Sequence, residues 1–277
     1  MIDAHQHFWQ IGQHDCTWPT PDLAIYRNFM PEDFAPIADA VGIKGSVLVQ
    51  SQESDLDTDV LLGVADESDL VKAVVGWVDL LSPVAASRIR LLSLHPKFRG
   101  IRPMLQGLED DAWILKPEVD AAINELKACQ LSFDALVYMR HLPYLHIFAE
   151  RHPELAIVID HAAKPAIAEG QYESWAKAIA ALSQLPNVYC KLSGLLTEAN
   201  AEQGAEDLKV YVSKLYELFG AERLMWGSDW PVLNLAANRR YAGYADWLAL
   251  ARKLLPEISK TEVDCIFGLT AKKFYGF

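Results

Sequence analysis

Short apolar segments recur along the chain and are mostly separated by amphipathic stretches. The apolar segments occupy residues 1–5, 46–50, 73–79, 100–105, 131–137, 155–160, 188–192 and 224–227. Between most of them, apolar residues recur at helical spacing, most clearly at residues 31–41, 87–94, 117–128, 172–182 and 208–219. Short apolar runs alternating with helical periodicity predict a repeated strand–helix unit.

The number of strand–helix units limits the possible folds. Eight strand–helix units without a linker favour a closed barrel over an open sheet, and this chain length is common for such barrels. We therefore predict an α/β fold, a single-domain (β/α)8 TIM-like barrel over residues 1–277. Residues 8–29 should form a long loop over the barrel mouth. Residues 241–254 should form the last barrel helix, and residues 260–277 a helical closure.

Composition restricts the partners. The chain is 51% hydrophobic and carries a formal net charge of −12. An acidic chain argues against nucleic acid or an anionic membrane as partner, so a small-molecule substrate is expected. Four widely spaced cysteines without a CxxC pair suggest neither a zinc knuckle nor a disulfide framework. A start that lacks signal-peptide features, with no apolar run of about twenty residues, predicts a cytoplasmic protein and leaves its oligomeric state open.

Polar side chains cluster where the predicted strands end. They are His5, His7, Gln50, Gln52, Glu53, Trp77, Asp79, Arg102, Asp134, Asp160, His161, Lys164, Lys191, Ser193, Ser228, Asp229 and Trp230. The active sites of parallel barrels lie at the carboxyl ends of the strands. This rim is therefore the predicted functional site.

His5 and His7 alternate on the first strand and should point the same way, towards Asp229 if the first and last strands are neighbours. Two imidazoles beside a carboxylate could hold a metal ion, or polarise a carbonyl while the carboxylate deprotonates water. The alternative is a pair of capped histidines on an edge strand.

Four motifs carry a family resemblance: Asp-Ala-His-Gln-His at residues 3–7, Phe-Arg-Gly-Ile-Arg at 98–102, Val-Ile-Asp-His-Ala-Ala-Lys-Pro at 158–165, and Trp-Gly-Ser-Asp-Trp-Pro at 226–231. With them the chain resembles the amidohydrolase superfamily, in particular the sugar lactonases of its amidohydrolase 2 branch. The resemblance implies a hydrolase that opens a sugar lactone to the sugar acid. Asp229 would act as general base on water, and His161, with Arg102 or a metal, would stabilise the oxyanion.

The sequence departs from the dinuclear members of that superfamily. These carry a carboxylated lysine on strand four and a histidine on strand five, where this chain has Arg102 and residues 133–136. A guanidinium stays protonated and cannot coordinate a metal. We expect at most one divalent ion, zinc or manganese, bound by His5, His7 and Asp229. The ion would not be strictly required, because lactones are reactive enough for histidine and arginine to polarise the lactone carbonyl without it.

Further rim residues are candidates for substrate binding. Indoles at strand ends could stack on a pyranose ring, and polar groups around them could bind its hydroxyls. These residues are Trp9, Trp77, Trp230, Gln50, Glu53, Lys164 and Ser193. Alternatives stay open: His161 could be a core histidine, and Arg102 could pair internally with Asp79 or Asp134.

Two other functions compete with the lactonase. One is a metal-dependent decarboxylase of an aromatic or unsaturated acid on a related barrel. The other is a non-catalytic sensor of sugar acids. The sequence assigns no role to the side chains of His141 and Asp134.

Overall fold

Eight parallel strands form one sheet in sequence order. The computed structural model describes residues 1–277. The strands are β1 Asp3–Gln6, β2 Ser46–Val49, β3 Val71–Gly76, β4 Phe98–Ile101, β5 Ser132–Ala135, β6 Ile157–Ile159, β7 Val188–Leu192 and β8 Leu224–Trp226. Hydrogen bonds just after β8 join the end of the sheet to its beginning. The Asp229 amide donates to the His5 carbonyl at 2.8 Å, and the His7 amide donates to the Trp230 carbonyl at 2.8 Å. The predicted (β/α)8 barrel is confirmed.

Helices follow the strands along the chain. They are α1 Pro31–Ala40, α2 Asp55–Glu67, α3 Ala85–Leu92, α4 Asp120–Ala128, α5 Leu142–Arg151, α6 Tyr172–Ser183, α7 Ala205–Arg223, α8 Tyr244–Leu254, α9 Lys260–Asp264 and α10 Thr270–Tyr275. The amphipathic segments match α1, α3, α4, α6 and α7, whereas α2 and α5 were not among the clearest patterns. No helix is both long and apolar enough to span a membrane.

The core has two parts. Small apolar side chains such as Ala4, Val47 and Val75 fill the barrel, and a larger cluster packs between the strands and the helices. The C-terminal segment closes the amino-terminal end, where the Ile2 amide donates to the Phe267 carbonyl at 2.9 Å. Tyr275 of α10 packs against the interior cluster. The predicted helical closure therefore reaches into the barrel.

The segment between β1 and α1 contains no regular helix or strand, and a single bridge joins Trp9 to Phe29. Asp15, Thr17 and Trp18 from this segment line a cavity at the carboxyl ends of the strands. The prediction that residues 8–29 form a loop over the mouth is confirmed.

Candidate active site

A cavity of about 1010 Å³ opens at the carboxyl ends of the strands. Eight of the predicted rim residues line it: His7, Gln52, Glu53, Trp77, Arg102, His161, Lys164 and Asp229. Loop residues such as Trp18, Gln106 and Glu198 complete its wall. The rim deduced from the strand ends therefore surrounds a single space.

Three imidazoles converge on one carboxylate oxygen. Asp229 Oδ1 lies 3.7 Å from His5 Nε2, 3.3 Å from His7 Nε2 and 3.9 Å from His161 Nε2. His5 of β1 and His7, directly after β1, are themselves 3.1 Å apart, Nε2 to Nε2. The structure thus brings together the three predicted metal ligands and adds His161 to them.

Unusual backbone conformations aim these side chains. Asp229 has a φ of 58°, and four consecutive residues, from His161 to Lys164, have φ between 50° and 60°. The left-handed region costs a residue with a Cβ about 1–2 kcal/mol. Such strain persists where the surrounding structure determines it, typically at functional sites. Here the left-handed turn after β6 presents both His161 and Lys164 to the cavity.

The Nδ1 atoms of His7 and His161 have hydrogen-bond partners that orient the two rings. His7 Nδ1 donates to the Val49 carbonyl at 2.8 Å, which leaves the lone pair of Nε2 facing Asp229. His161 Nδ1 lies 2.9 Å from the Ser193 hydroxyl, which can either donate or accept. His161 can therefore offer the cavity an N–H donor or a lone pair.

The site favours neutral imidazoles around an ionised carboxylate. Burial lowers the pKa of His161 to about 4. Burial, and after it the charge of Lys191, hold the pKa of His5 well below its usual range. Burial raises the pKa of Asp229, but His161, His7 and His5 together lower it by more.

The converging side chains fit one divalent ion. Ligands of a tetrahedral zinc at 2.0–2.1 Å lie about 3.4 Å from one another. Asp229 Oδ1 lies 3.3–3.9 Å from the three imidazoles, and His5 Nε2 lies 3.1 Å from His7 Nε2. One potential ligand atom comes from each of His5, His161 and Asp229, and these three atoms lie within 4.8 Å of one another. His7 has the oriented tautomer that metal-binding histidines usually show.

Four predicted substrate-binding residues do not line the cavity. Trp230 is 5% exposed and packs against Phe8, Phe29 and Phe34. Trp9 packs against Trp18 and Phe29. Their place at strand ends does not bring these indoles to the cavity wall, because both rings pack against other aromatic side chains.

The other two, Gln50 and Ser193, act on neighbours instead. Gln50 Nε2 donates to the main-chain carbonyl of Arg102 at 2.7 Å, and the main-chain carbonyl of Gln50 accepts from the Arg102 guanidinium. Ser193 contacts His161. Both are buried and support groups that do line the cavity.

Arg102 has an internal partner as well as a cavity face. Its Nη1 lies 3.3 Å from Asp160 Oδ2 and 3.4 Å from His5 Nε2. The partner is thus Asp160, not the Asp79 or Asp134 considered from the sequence. Asp134 is instead bound by Lys191 and Tyr275, and His141 lies away from the cavity beside Asp111.

Sequence reasoning missed part of the wall. Lys164 Nζ donates to Gln106 Oε1 at 3.0 Å and lies 3.6 Å from Glu198 Oε1. Burial raises the pKa of Glu198. Gln106 and Glu198 lie on loops with no regular pattern, so only their position after β4 and β7 could have pointed to them.

Comparisons with known proteins identify the family of the chain. The model of the family described as amidohydrolase, in its second branch, matches residues 2–277. The chain belongs to this amidohydrolase family. It is similar to an L-fucono-1,5-lactonase of Burkholderia ambifaria, with 49% identity over 99% of this chain and 94% of that protein.

Two further relatives come from Burkholderia multivorans. An L-fucono-1,5-lactonase of that species is 35% identical over 99% of this amidohydrolase and 95% of the relative. A crystal structure of an amidohydrolase from the same species, with bound zinc, superposes with a TM-score of 0.91. Its sequence is 34% identical, and the match covers 100% of this chain and 99% of that one. The family and fold expected from the four motifs are confirmed.

Proposed function

We propose that the protein is a lactonase that hydrolyses a sugar 1,5-lactone of the L-fucono-1,5-lactone type to the open sugar acid. The observation that carries the proposal is the ionised Asp229 beside three imidazoles at a polar cavity, in a chain 49% identical to an L-fucono-1,5-lactonase. Ester hydrolysis requires an activated water and a stabilised oxyanion, and this arrangement offers groups for both.

Asp229 is the general base. Asp229 lines the cavity, and a water held there can transfer a proton to the carboxylate as its oxygen attacks the lactone carbonyl. The Asp229 amide donates to the His5 carbonyl at 2.8 Å, which holds the backbone of this residue in place. An amide at this position could not accept the proton.

His161 and Arg102 stabilise the negative charge that develops on the carbonyl oxygen. Both line the cavity, and Arg102 is anchored by Asp160 and Gln50. Preorganised donors are effective here because they need no reorganisation when the charge forms. The tautomer of His161 with a proton on Nε2, accepting from Ser193, supplies one donor.

His5, His7, His161 and Asp229 would hold at most one divalent ion. When bound, such an ion would polarise the lactone carbonyl or acidify a water. A second ion has no ligands at the expected places, because Arg102 stands on strand four and Asp134 of strand five is bound by Lys191 and Tyr275.

The outer wall suits a polyhydroxylated ring. Trp77 offers an indole face, and Glu53, Lys164, Gln106 and Glu198 offer hydrogen-bond acceptors and donors. The cationic Lys164 is offset by Glu198 at 3.6 Å, so the wall does not present an unbalanced positive charge to a phosphate. A neutral sugar lactone matches this lining.

A pH-indicator assay tests the proposal, because each lactone opened at neutral pH releases one proton. L-fucono-1,5-lactone should be hydrolysed well above its spontaneous rate, and faster than unsubstituted δ-valerolactone. Binding of the sugar acid without turnover would instead indicate the sensor. Release of CO2 from aromatic acids, without lactone hydrolysis, would indicate the decarboxylase.

A further inference from the structure

Lys191 is a fully buried lysine beside the candidate metal ligands, and no step above uses it. Its Nζ lies 2.6 Å from Asp134 Oδ2, 2.9 Å from Asp160 Oδ1 and 3.1 Å from His5 Nδ1. An ammonium group has three N–H donors and no acceptor. Lys191 is therefore hydrogen-bonded to Asp134 and His5 and paired in charge with Asp160.

The surroundings of Lys191 balance its charge. Asp134 also accepts from the Tyr275 hydroxyl at 2.6 Å, and Asp160 pairs with Arg102 at 3.3 Å. Two cations and two carboxylates thus lie together in the barrel. Removing one member of such a buried set leaves an uncompensated charge and is strongly destabilising, whereas removing an oppositely charged pair is better tolerated.

Contact with an ammonium favours one tautomer of His5. Because Lys191 can only donate, its 3.1 Å contact requires His5 Nδ1 to accept, which places the ring proton of a neutral His5 on Nε2. Arg102 Nη1, which also can only donate, opposes this tautomer from a longer distance of 3.4 Å to Nε2. The Nε2–H of His5 faces His7 Nε2 at 3.1 Å. His7 Nε2 can accept it, because His7 Nδ1 already donates to the Val49 carbonyl.

A metal ion requires the opposite tautomer. It would bind the lone pair of His5 Nε2, so the proton would have to lie on Nδ1 and find an acceptor there. Asp160 Oδ1 is that acceptor, 3.5 Å from His5 Nδ1. Lys191 and Asp160 therefore compete for one imidazole nitrogen with opposite consequences.

We propose that Lys191 is a positioning residue that weakens metal binding by holding His5 in the tautomer with its proton on Nε2. Asp160 strengthens metal binding by stabilising the other tautomer. The two states differ in the position of one ring proton of His5. The inference concerns metal affinity and holds whichever lactone is the substrate.

The first test measures zinc affinity by competition with a chromophoric chelator. The double variant Lys191→Met with Asp134→Asn removes one cation and one anion from the buried set. We expect its zinc Kd to fall by about tenfold or more, the scale on which partners of metal-binding histidines act. An unchanged or higher Kd in the double variant, including no detectable binding, would overturn the proposal.

A matched control and a second measurement guard against a folding defect. Lys44→Met with Asp39→Asn removes an exposed pair with a separation of 3.5 Å and should leave the zinc Kd unchanged. In the unaltered protein, histidine 15N–1H spectra should show the His5 proton on Nε2 without zinc and on Nδ1 with it. The His5 signal is the one lost in His5→Gln. A proton on Nδ1 in both states would contradict the proposal.

Discussion

Gly194 lies directly against the imidazole of His161. A Cβ built on Gly194 would come 2.6 Å from Cγ and 2.7 Å from Nδ1 of that ring. The glycine follows Ser193, whose hydroxyl contacts the same Nδ1. Two successive residues after β7 therefore set the position of a side chain presented by β6.

Replacing Gly194 with alanine should displace His161 and slow lactone hydrolysis. A misplacement of about 1 Å can reduce the rate by about 100-fold, so we expect a loss of that order in kcat. The pH-indicator assay measures it. Gly170→Ala is the matched control, because Gly170 has the same φ of +68° but no atom within 4 Å of an added Cβ. Equal losses in the two variants would show that backbone strain, and not the contact with His161, is responsible.

Most of the fold could be predicted from the sequence because the barrel imposes a regular pattern. Buried strands and amphipathic helices follow one another, and each pattern is visible within a short window. The amphipathic pattern of α2 and α5 is less visible in the sequence. On α2, polar residues such as Asp57 and Thr58 are buried, and α5 directly follows a buried polar residue, His141. The reach of Tyr275 into the barrel depends on tertiary packing, which no local window contains.

The site was predictable in part for the same reason. Alternation on β1 correctly placed His5 and His7 together, and strand order brought Asp229 to them. A strand-end position does not tell whether a side chain points to the cavity or to the helices. The sequence therefore could not show that Trp77 lines the cavity whereas Trp230 is packed in the core. The contacts of Lys191 with Asp134 and Asp160 join three different strands and leave no local signal.

The two indoles should now respond differently to substitution. Trp77→Ala removes a cavity-lining face, so kcat/KM for L-fucono-1,5-lactone should fall by about tenfold while that for δ-valerolactone changes little, since stacking requires the substituted ring. Trp230→Ala leaves a hole in the core and should lower the free energy of unfolding by about 3–5 kcal/mol. It should keep the ratio of the two kcat/KM values.

Kinetics on both lactones and denaturant unfolding of both variants check this pair of expectations. If Trp230→Ala changed the substrate ratio and Trp77→Ala did not, the assignment of the two rings would be reversed.

Asp229→Asn should reduce kcat by about 1,000-fold without unfolding the protein, because an amide has nearly the same shape but cannot take a proton from water. Asp79→Asn is the control, because Asp79 is exposed in the segment after β3 and does not line the cavity. Activity of Asp229→Asn within about tenfold of the parent, equivalent to only ~1.4 kcal/mol in the barrier, would exclude the general-base role.

Metal content and its removal form the last prediction. Three imidazoles and one carboxylate make a single set of ligands, so metal analysis should find at most one zinc or manganese per chain. After dialysis against a chelator, lactone hydrolysis should continue at a reduced rate, because a reactive ester needs less electrophilic help and Arg102 and His161 remain as donors, each worth about 3 kcal/mol when well placed. The double variant His5→Gln with His7→Gln should lose the ion altogether, whereas His146→Gln, on the outer face of α5, should retain it. Two ions per chain, or complete loss of activity on chelation with recovery on adding zinc, would mean that hydrolysis depends on the metal and that Asp229 acts first as its ligand.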